Sequence, residues 1–203
     1  MSQDTPRRHS MRLRGYDYSQ NGVYFVTICT QDKKSLFGDV VDDEIRLNEV
    51  GNIAKNEWLN LPRRFPNLDL DISVIMPNHI HGIIIVGAPL AGARINKIHS
   101  QIKETHPRNH ADNIGIHVNN DIYSNRATAR VAHTPIGNII GAYKSLVYTT
   151  CLKINKGNKR FQGKMWQRNY YEHIIRDDYD LNRIREYIID NPANWSSDIS
   201  FIP

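Results

Sequence analysis

The segment Pro77-Asn78-His79-Ile80-His81-Gly82-Ile83-Ile84-Ile85-Val86 constrains the fold more than any other part of the chain. Its apolar, β-branched second half reads as a buried strand. Strand side chains alternate between faces, so His79 and His81 point the same way and Ile80 points to the other side. Two imidazoles side by side on a rigid strand form half of a metal site. A bare His-x-His on a strand is more often structural, so the rest of the chain has to decide between metal binding and packing.

The 203 residues suffice for one domain with a good core, or for a domain plus a large insertion. A hydrophobic content of 40% with 23% charged residues is ordinary for a globular protein. The formal net charge of +5 and pI near 9.2 are compatible with a polyanionic partner without requiring one. The Ile83–Val86 run is soon cut by Gly87 and Pro89, so no stretch approaches the roughly 18 apolar residues of a membrane span. The N-terminus carries Arg7, Arg8, Arg12 and Arg14 and lacks the apolar segment of a secretory signal. The chain therefore reads as cytosolic, with Cys29 and Cys151 as reduced, small buried side chains rather than a disulfide.

Residues 1–20 are polar and basic and read as an N-terminal arm; 21–203 read as a single domain. Val23 to Thr30 is rich in β-branched and aromatic residues, as a strand is. Val40-Val41 and Glu44–Leu47 flank Asp42-Asp43 as a small hairpin. Asn48 is placed to cap a helix with Val50, Ile53, Ala54, Trp58 and Leu61 at helical spacing, closed by Pro62 and Pro66. Leu68 to Ile75 alternates as a second strand, and His79 to Val86 pairs back to it. From about 87 to 133 the periodicity dissolves, and the stretch reads as an insertion, partly disordered or an accessory element. Its histidines show no trustworthy ligand spacing.

Thr134 and Pro135 look like a helix start ahead of Ile136, Ile139, Ile140, Tyr143, Leu146 and Val147, with Lys144 on the flank. Residues 161–169 read as a loop and Tyr170–Ile175 as a last strand. Asp178 or Asp180 then caps a helix with Leu181, Ile184 and Ile188 that ends before Pro192. The βαββαβ order predicts an α+β, ferredoxin-like or RRM-like sandwich: an antiparallel sheet with helices packed against it, plus a long insertion. Its strand order follows only from the fold analogy. Such a sheet with a basic arm is also a common nucleic-acid platform.

Phosphodiester cleavage is hard because negative charge shields the phosphorus. A metal ion that gathers charge, together with a nucleophile, meets that difficulty. Tyr187 and Asn191 are four residues apart on the last helix and share a face. The carboxamide oxygen of Asn191 is a hard ligand able to join His79 and His81 on a divalent ion, with Tyr187 one helical turn away.

Three segments then carry a resemblance: Met76–Gly82, Met165-Trp166-Gln167-Arg168-Asn169-Tyr170-Tyr171-Glu172-His173-Ile174-Ile175-Arg176, and Ile184-Arg185-Glu186-Tyr187-Ile188-Ile189-Asp190-Asn191-Pro192. With Arg12–Tyr18 and Tyr24–Thr30, they resemble the REP-associated branch of the IS200-like tyrosine (Y1) transposases, within the HUH endonucleases. The resemblance spans about 8–86 and 134–196. It implies that His79 and His81, with Asn191 in the third-ligand place, hold Mg²⁺ or Mn²⁺. It also implies that Tyr187 attacks DNA to give a 5′-phosphotyrosine and a free 3′-hydroxyl, and that single-stranded or hairpin DNA is the substrate. The related IS200 enzymes have Gln where this chain has Asn191. The segment 87–133 is longer than the family pattern.

With the family in view, Arg7, Arg8, Arg12, Arg14, Lys144 and Arg168 become candidate DNA contacts; otherwise they are a solvated charge run and flank. Trp166 reads as packing and His173 as structural, while Glu172 and Asp190 are minor alternative ligands. The rival functions are a hairpin-binding protein derived from a transposase but without catalysis, and a phosphodiesterase that uses water instead of tyrosine. Monomer and homodimer both stay open.

Overall fold

A computed structural model describes residues 21–87, 114–116 (backbone), 135–154 and 163–196. The basic arm with Arg7, Arg8, Arg12 and Arg14, and the histidines of the 87–133 segment, lie outside the described residues. The elements in chain order are β1 (Gly22–Cys29), a short 3₁₀ turn (Gln31–Lys33), β2 (Gly38–Val41), β3 (Glu44–Leu47), α1 (Glu49–Leu59), α2 (Leu61–Arg64), β4 (Leu68–Ile75), β5 (His79–Val86), β6 (Ile114–Ile116), α3 (Ile136–Ile154), β7 (Tyr171–Ile175) and α4 (Asp178–Asp190). The protein is thus α+β, with helices packed on an antiparallel sheet.

That sheet has the order β6-β4-β5-β1-β7, and all of its neighbours are antiparallel. Numbered by chain order within the βαββαβ core, its four principal strands lie 2-3-1-4. β5 and β1 are central, and β5 is buried over its whole length. β6 comes from the segment read as an insertion and pairs Ile116 with Ile72 and Ile114 with Val74, extending the sheet by a strand.

Each face of the sheet has its own apolar layer. Tyr24, Val26, Ile28, Ile80 and Ile84 point toward α1 and α3, where Ala54, Trp58, Ile139, Tyr143 and Val147 meet them. Phe25, Ile72, Val74 and Ile83 point toward α4, against Ile184, Ile188 and Ile189. Tyr143 Oη donates to Ala54 O at 3.0 Å and ties α3 to α1. Because β5 alternates, the face that carries His79 and His81 is the one α4 covers.

Local signals explain most boundaries. Asn48 Oδ1 accepts from Gly51 N at 3.0 Å and starts α1. Asp42 and Asp43 both adopt positive φ, as a two-residue hairpin turn requires. Two expectations are corrected. Pro62 does not close a helix: it sits in the first turn of α2, where its missing N–H costs nothing. The cap of α4 is Asp177, not Asp178 or Asp180; its side chain accepts from Asp180 N at 2.8 Å.

Candidate active site

The sheet register assembles the site. β1 and β5 pair so that Thr27 lies opposite His81 and Cys29 opposite His79. The two imidazoles stand side by side, with ring centroids 4.4 Å apart. Thr27 Oγ1 is 2.8 Å from His81 Nδ1, and Asn78 Oδ1 is 2.7 Å from His79 Nδ1. Each imidazole therefore has its Nδ1 held by a neighbouring oxygen.

The helix face brings the other pair. Tyr187 Oη lies 3.2 Å from His81 Nε2 in a partly buried contact, although 106 residues separate the two in sequence. Phe25 stacks on the His81 ring at 5.4 Å and meets the edge of Tyr187 at 6.1 Å. Trp195 closes the His79 side at 6.0 Å. Asn191, the C-terminal cap of α4, is 2% exposed and lies beside His79. Its amide works against the loss of basicity at His79, yet Oδ1 has no donor in hydrogen-bond geometry among the described residues.

Burial lowers His79 to about 4, a drop that Asn191 opposes and the nearby charge of Lys33 deepens. Burial, reinforced by His79, also holds His81 well below its ordinary value. Both rings are consequently neutral near pH 7, the form in which imidazole donates a lone pair. Among the described residues no three His, Cys, Asp or Glu side chains cluster for a metal. The donor set that does converge is two neutral imidazoles and the buried, underused amide oxygen of Asn191. This set suits a divalent cation with nitrogen and oxygen ligands, with coordination positions left for water or phosphate oxygens.

The remaining predicted residues are spread more widely. Lys144 Nζ donates to Gln167 O at 2.8 Å and Asn169 O at 3.0 Å, fastening the loop that carries Arg168. The same loop is stitched to the end of β1 by Gln167 N to Cys29 O at 3.0 Å, and Arg168 is exposed on it. Trp166 packs in the α1/α3 layer and donates Nε1 to Lys144 O. Glu172 pairs with Val26 and so faces the layer opposite the histidines; Asp190 is exposed. His173 bonds Asp180 at 2.6 Å, away from the imidazole couple. Cys29 and Cys151 are not joined in a disulfide. Thr27, Phe25 and Trp195 carried no sequence signal as site residues, although the alternation of β1 places Phe25 and Thr27 on one face.

No protein-family model matches the chain. It is 35% identical over 195 residues to a Haemophilus influenzae protein described only as uncharacterized, covering 96% of this chain and 93% of that one. It is 26% identical over 179 residues to an H. influenzae protein named "Putative REP-associated tyrosine transposase", covering 87% of this chain and 73% of that one. Its fold resembles that of a REP-associated tyrosine transposase solved with a REP hairpin: the TM-score is 0.51 at 16% identity, over 92% of this chain and 74% of the other. No described helix is long and apolar enough to cross a membrane. In sequence and in fold, then, this chain is similar to REP-associated tyrosine transposases.

Proposed function

We propose that the protein is a metal-dependent single-strand DNA endonuclease and strand transferase that acts at DNA hairpins, with Tyr187 as its nucleophile. The observation that carries this reading is the approach of Tyr187 Oη to His81 Nε2, at 3.2 Å, beside a second neutral imidazole and a buried amide oxygen. The hairpin enters the proposal through the relative solved with one.

His79, His81 and Asn191 would hold Mg²⁺ or Mn²⁺, which supplies charge neutralisation at a non-bridging phosphate oxygen when bound. The chain's own groups do the rest. Tyr187 Oη forms a bond to phosphorus as the P–O3′ bond breaks. The phenol loses a proton and the departing 3′-oxygen gains one. The product is a 5′-phosphotyrosine on Tyr187 and a strand ending in a 3′-hydroxyl. One phosphodiester replaces another, so the step is reversible and needs no nucleotide cofactor. Phe25 holds the angle of the Tyr187 ring against the His81 ring by contact with both. Exposed Arg168, on the loop fastened by Lys144, would contact phosphate at the end of the sheet where His79 lies, and the basic arm would add further contacts.

The test uses Mn²⁺ and a labelled single-stranded hairpin oligonucleotide, with denaturing gels to detect a covalent protein–DNA adduct. The wild-type protein should form the adduct and Tyr187→Phe should not. Binding without an adduct would leave a hairpin-binding protein with no catalysis. Cleavage that survives Tyr187→Phe would refute the nucleophile and favour attack by water.

A further inference from the structure

The His79 side of the site is built on an unusual turn. Asp32 and Lys33, directly after β1, both have positive φ (55° and 53°), a conformation costly for residues other than glycine. The turn is pinned from several directions. Thr30 N and Thr30 Oγ1 both donate to Asn78 O at 2.9 Å, and Thr30 Oγ1 also lies 2.8 Å from Lys34 O. Leu36 N and Phe37 N both donate to Pro77 O. Asn78 Nδ2 donates to Lys33 O at 3.2 Å. The left-handed turn thus presents the Lys33 carbonyl to the side chain of Asn78.

That contact fixes a chain of proton assignments. A carbonyl oxygen can only accept, so the amide nitrogen of Asn78 must face Lys33. The amide oxygen is then left facing His79 Nδ1, 2.7 Å away. An amide oxygen can also only accept, so His79 Nδ1 must carry the proton. In a neutral ring the lone pair is then on Nε2.

We propose that Asn78 is the positioning residue of the candidate metal site: it locks His79 in the Nδ1–H tautomer and keeps the Nε2 lone pair available to a divalent cation. The backbone strain at Asp32 and Lys33 serves this arrangement, because the Lys33 carbonyl sets which way the Asn78 amide points. The inference deepens the metal reading above and rests on it for its purpose; the tautomer itself does not depend on a metal.

Two measurements on the full-length protein separate these. In metal-free, ¹⁵N-labelled protein, long-range ¹H–¹⁵N correlation reads the tautomer of each ring, with His79→Gln and His81→Gln identifying the signals. His79 should be the Nδ1–H form in the wild type and in Asn78→Asp, which keeps an acceptor, and a mixture in Asn78→Leu. The His81 ring should not change in either variant. Mn²⁺ titration followed by electron paramagnetic resonance should show about 10–100-fold weaker binding for Asn78→Leu, with most of the affinity restored in Asn78→Asp. A wild-type His79 found as the Nε2–H form overturns the proposal. So does Asn78→Leu with an unchanged tautomer and unchanged Mn²⁺ affinity. If Asn78→Leu fails to fold, the wild-type and Asn78→Asp tautomers still decide. Mn²⁺ binding that survives both His79→Ala and His81→Ala would sink the metal reading while leaving the tautomer result standing.

Discussion

At the scale of single residues, the site depends on small differences between neighbours on β5. His81 faces α4, and the next residue, Gly82, faces the opposite layer. A Cβ at Gly82 would fall 2.3 Å from Trp58 Cζ2, inside the indole ring's own space. A fully buried ring has no room to retreat, so strand and helix would have to separate. Gly82→Ala is expected to lose about 1–3 kcal/mol of stability, as measured by urea unfolding, through overpacking. A loss below a few tenths would show that Trp58 repacks freely. The Met76–Gly82 motif thus mixes two features: two histidines presented on one face, and a missing side chain on the other for packing. The histidine spacing could be read from the sequence because it is a strand-period pattern. The need for glycine could not, because Trp58 meets it only after α1 folds onto the sheet.

At the scale of elements, the decisive unit is α4. It places Tyr187 against β5, and a buried ion pair fixes it to β4. Arg185, two residues before Tyr187, donates Nε to Asp71 Oδ2 at 2.7 Å, and both side chains are about 5% exposed or less. Asp71 lies within the register shift of β4 between Leu70 and Ser73, an irregularity that re-aims side chains. Removing one partner leaves a charge buried alone. Arg185→Met should therefore cost about 3–5 kcal/mol in urea or thermal unfolding. The double variant Asp71→Leu/Arg185→Met should recover most of that loss. Equal losses in single and double variants would mean that packing, not charge, is what the pair supplies. The sequence announced α4, its apolar stripe and its end before Pro192. It did not announce the Asp71–Arg185 pair, because 114 residues separate two charges that alone would each read as surface. Nor did it distinguish Asp177 from Asp178 or Asp180 as the cap, since three acidic residues in four positions all carry the same local signal.

At the scale of the whole molecule, the net charge of +5 and the placement of cations make one prediction about DNA. Lys144 is shifted down to about 8, chiefly by burial, with the neighbouring Cys29 opposing the shift. Its folded value lies below its ordinary value of 10.5, so the unfolded chain takes up the proton first as pH falls. The fold accordingly gains stability as pH rises from about 8 toward 10.5. The positive charge of Lys144 fades as pH rises through about 8. Titrating hairpin binding by fluorescence anisotropy at several salt concentrations checks this. At pH 7, Lys144→Gln should reduce the slope of log K against log salt by about 0.7, the value for one phosphate contact on a single strand. Well above pH 8 the variant and the wild type should have the same slope. An unchanged slope at pH 7 would confine Lys144 to fastening the 167–169 loop.

The sequence by itself determined the periodic features: β5 with its two histidines on one face, the amphipathic helices, the βαββαβ succession and the Tyr187/Asn191 pair on one helical face. These are short-range consequences of backbone geometry, which repeats every two or 3.6 residues whatever surrounds it. Only the tertiary structure decided which strands are neighbours, that part of the segment read as an insertion adds a strand beside β4, and that α4 covers the histidine face with Tyr187 Oη 3.2 Å from His81. It also supplied the groups that orient the imidazoles, Thr27 and Asn78, and the aromatic walls Phe25 and Trp195. Those contacts join residues far apart along the chain, and their positions follow from packing two apolar layers on one sheet, which no local pattern encodes.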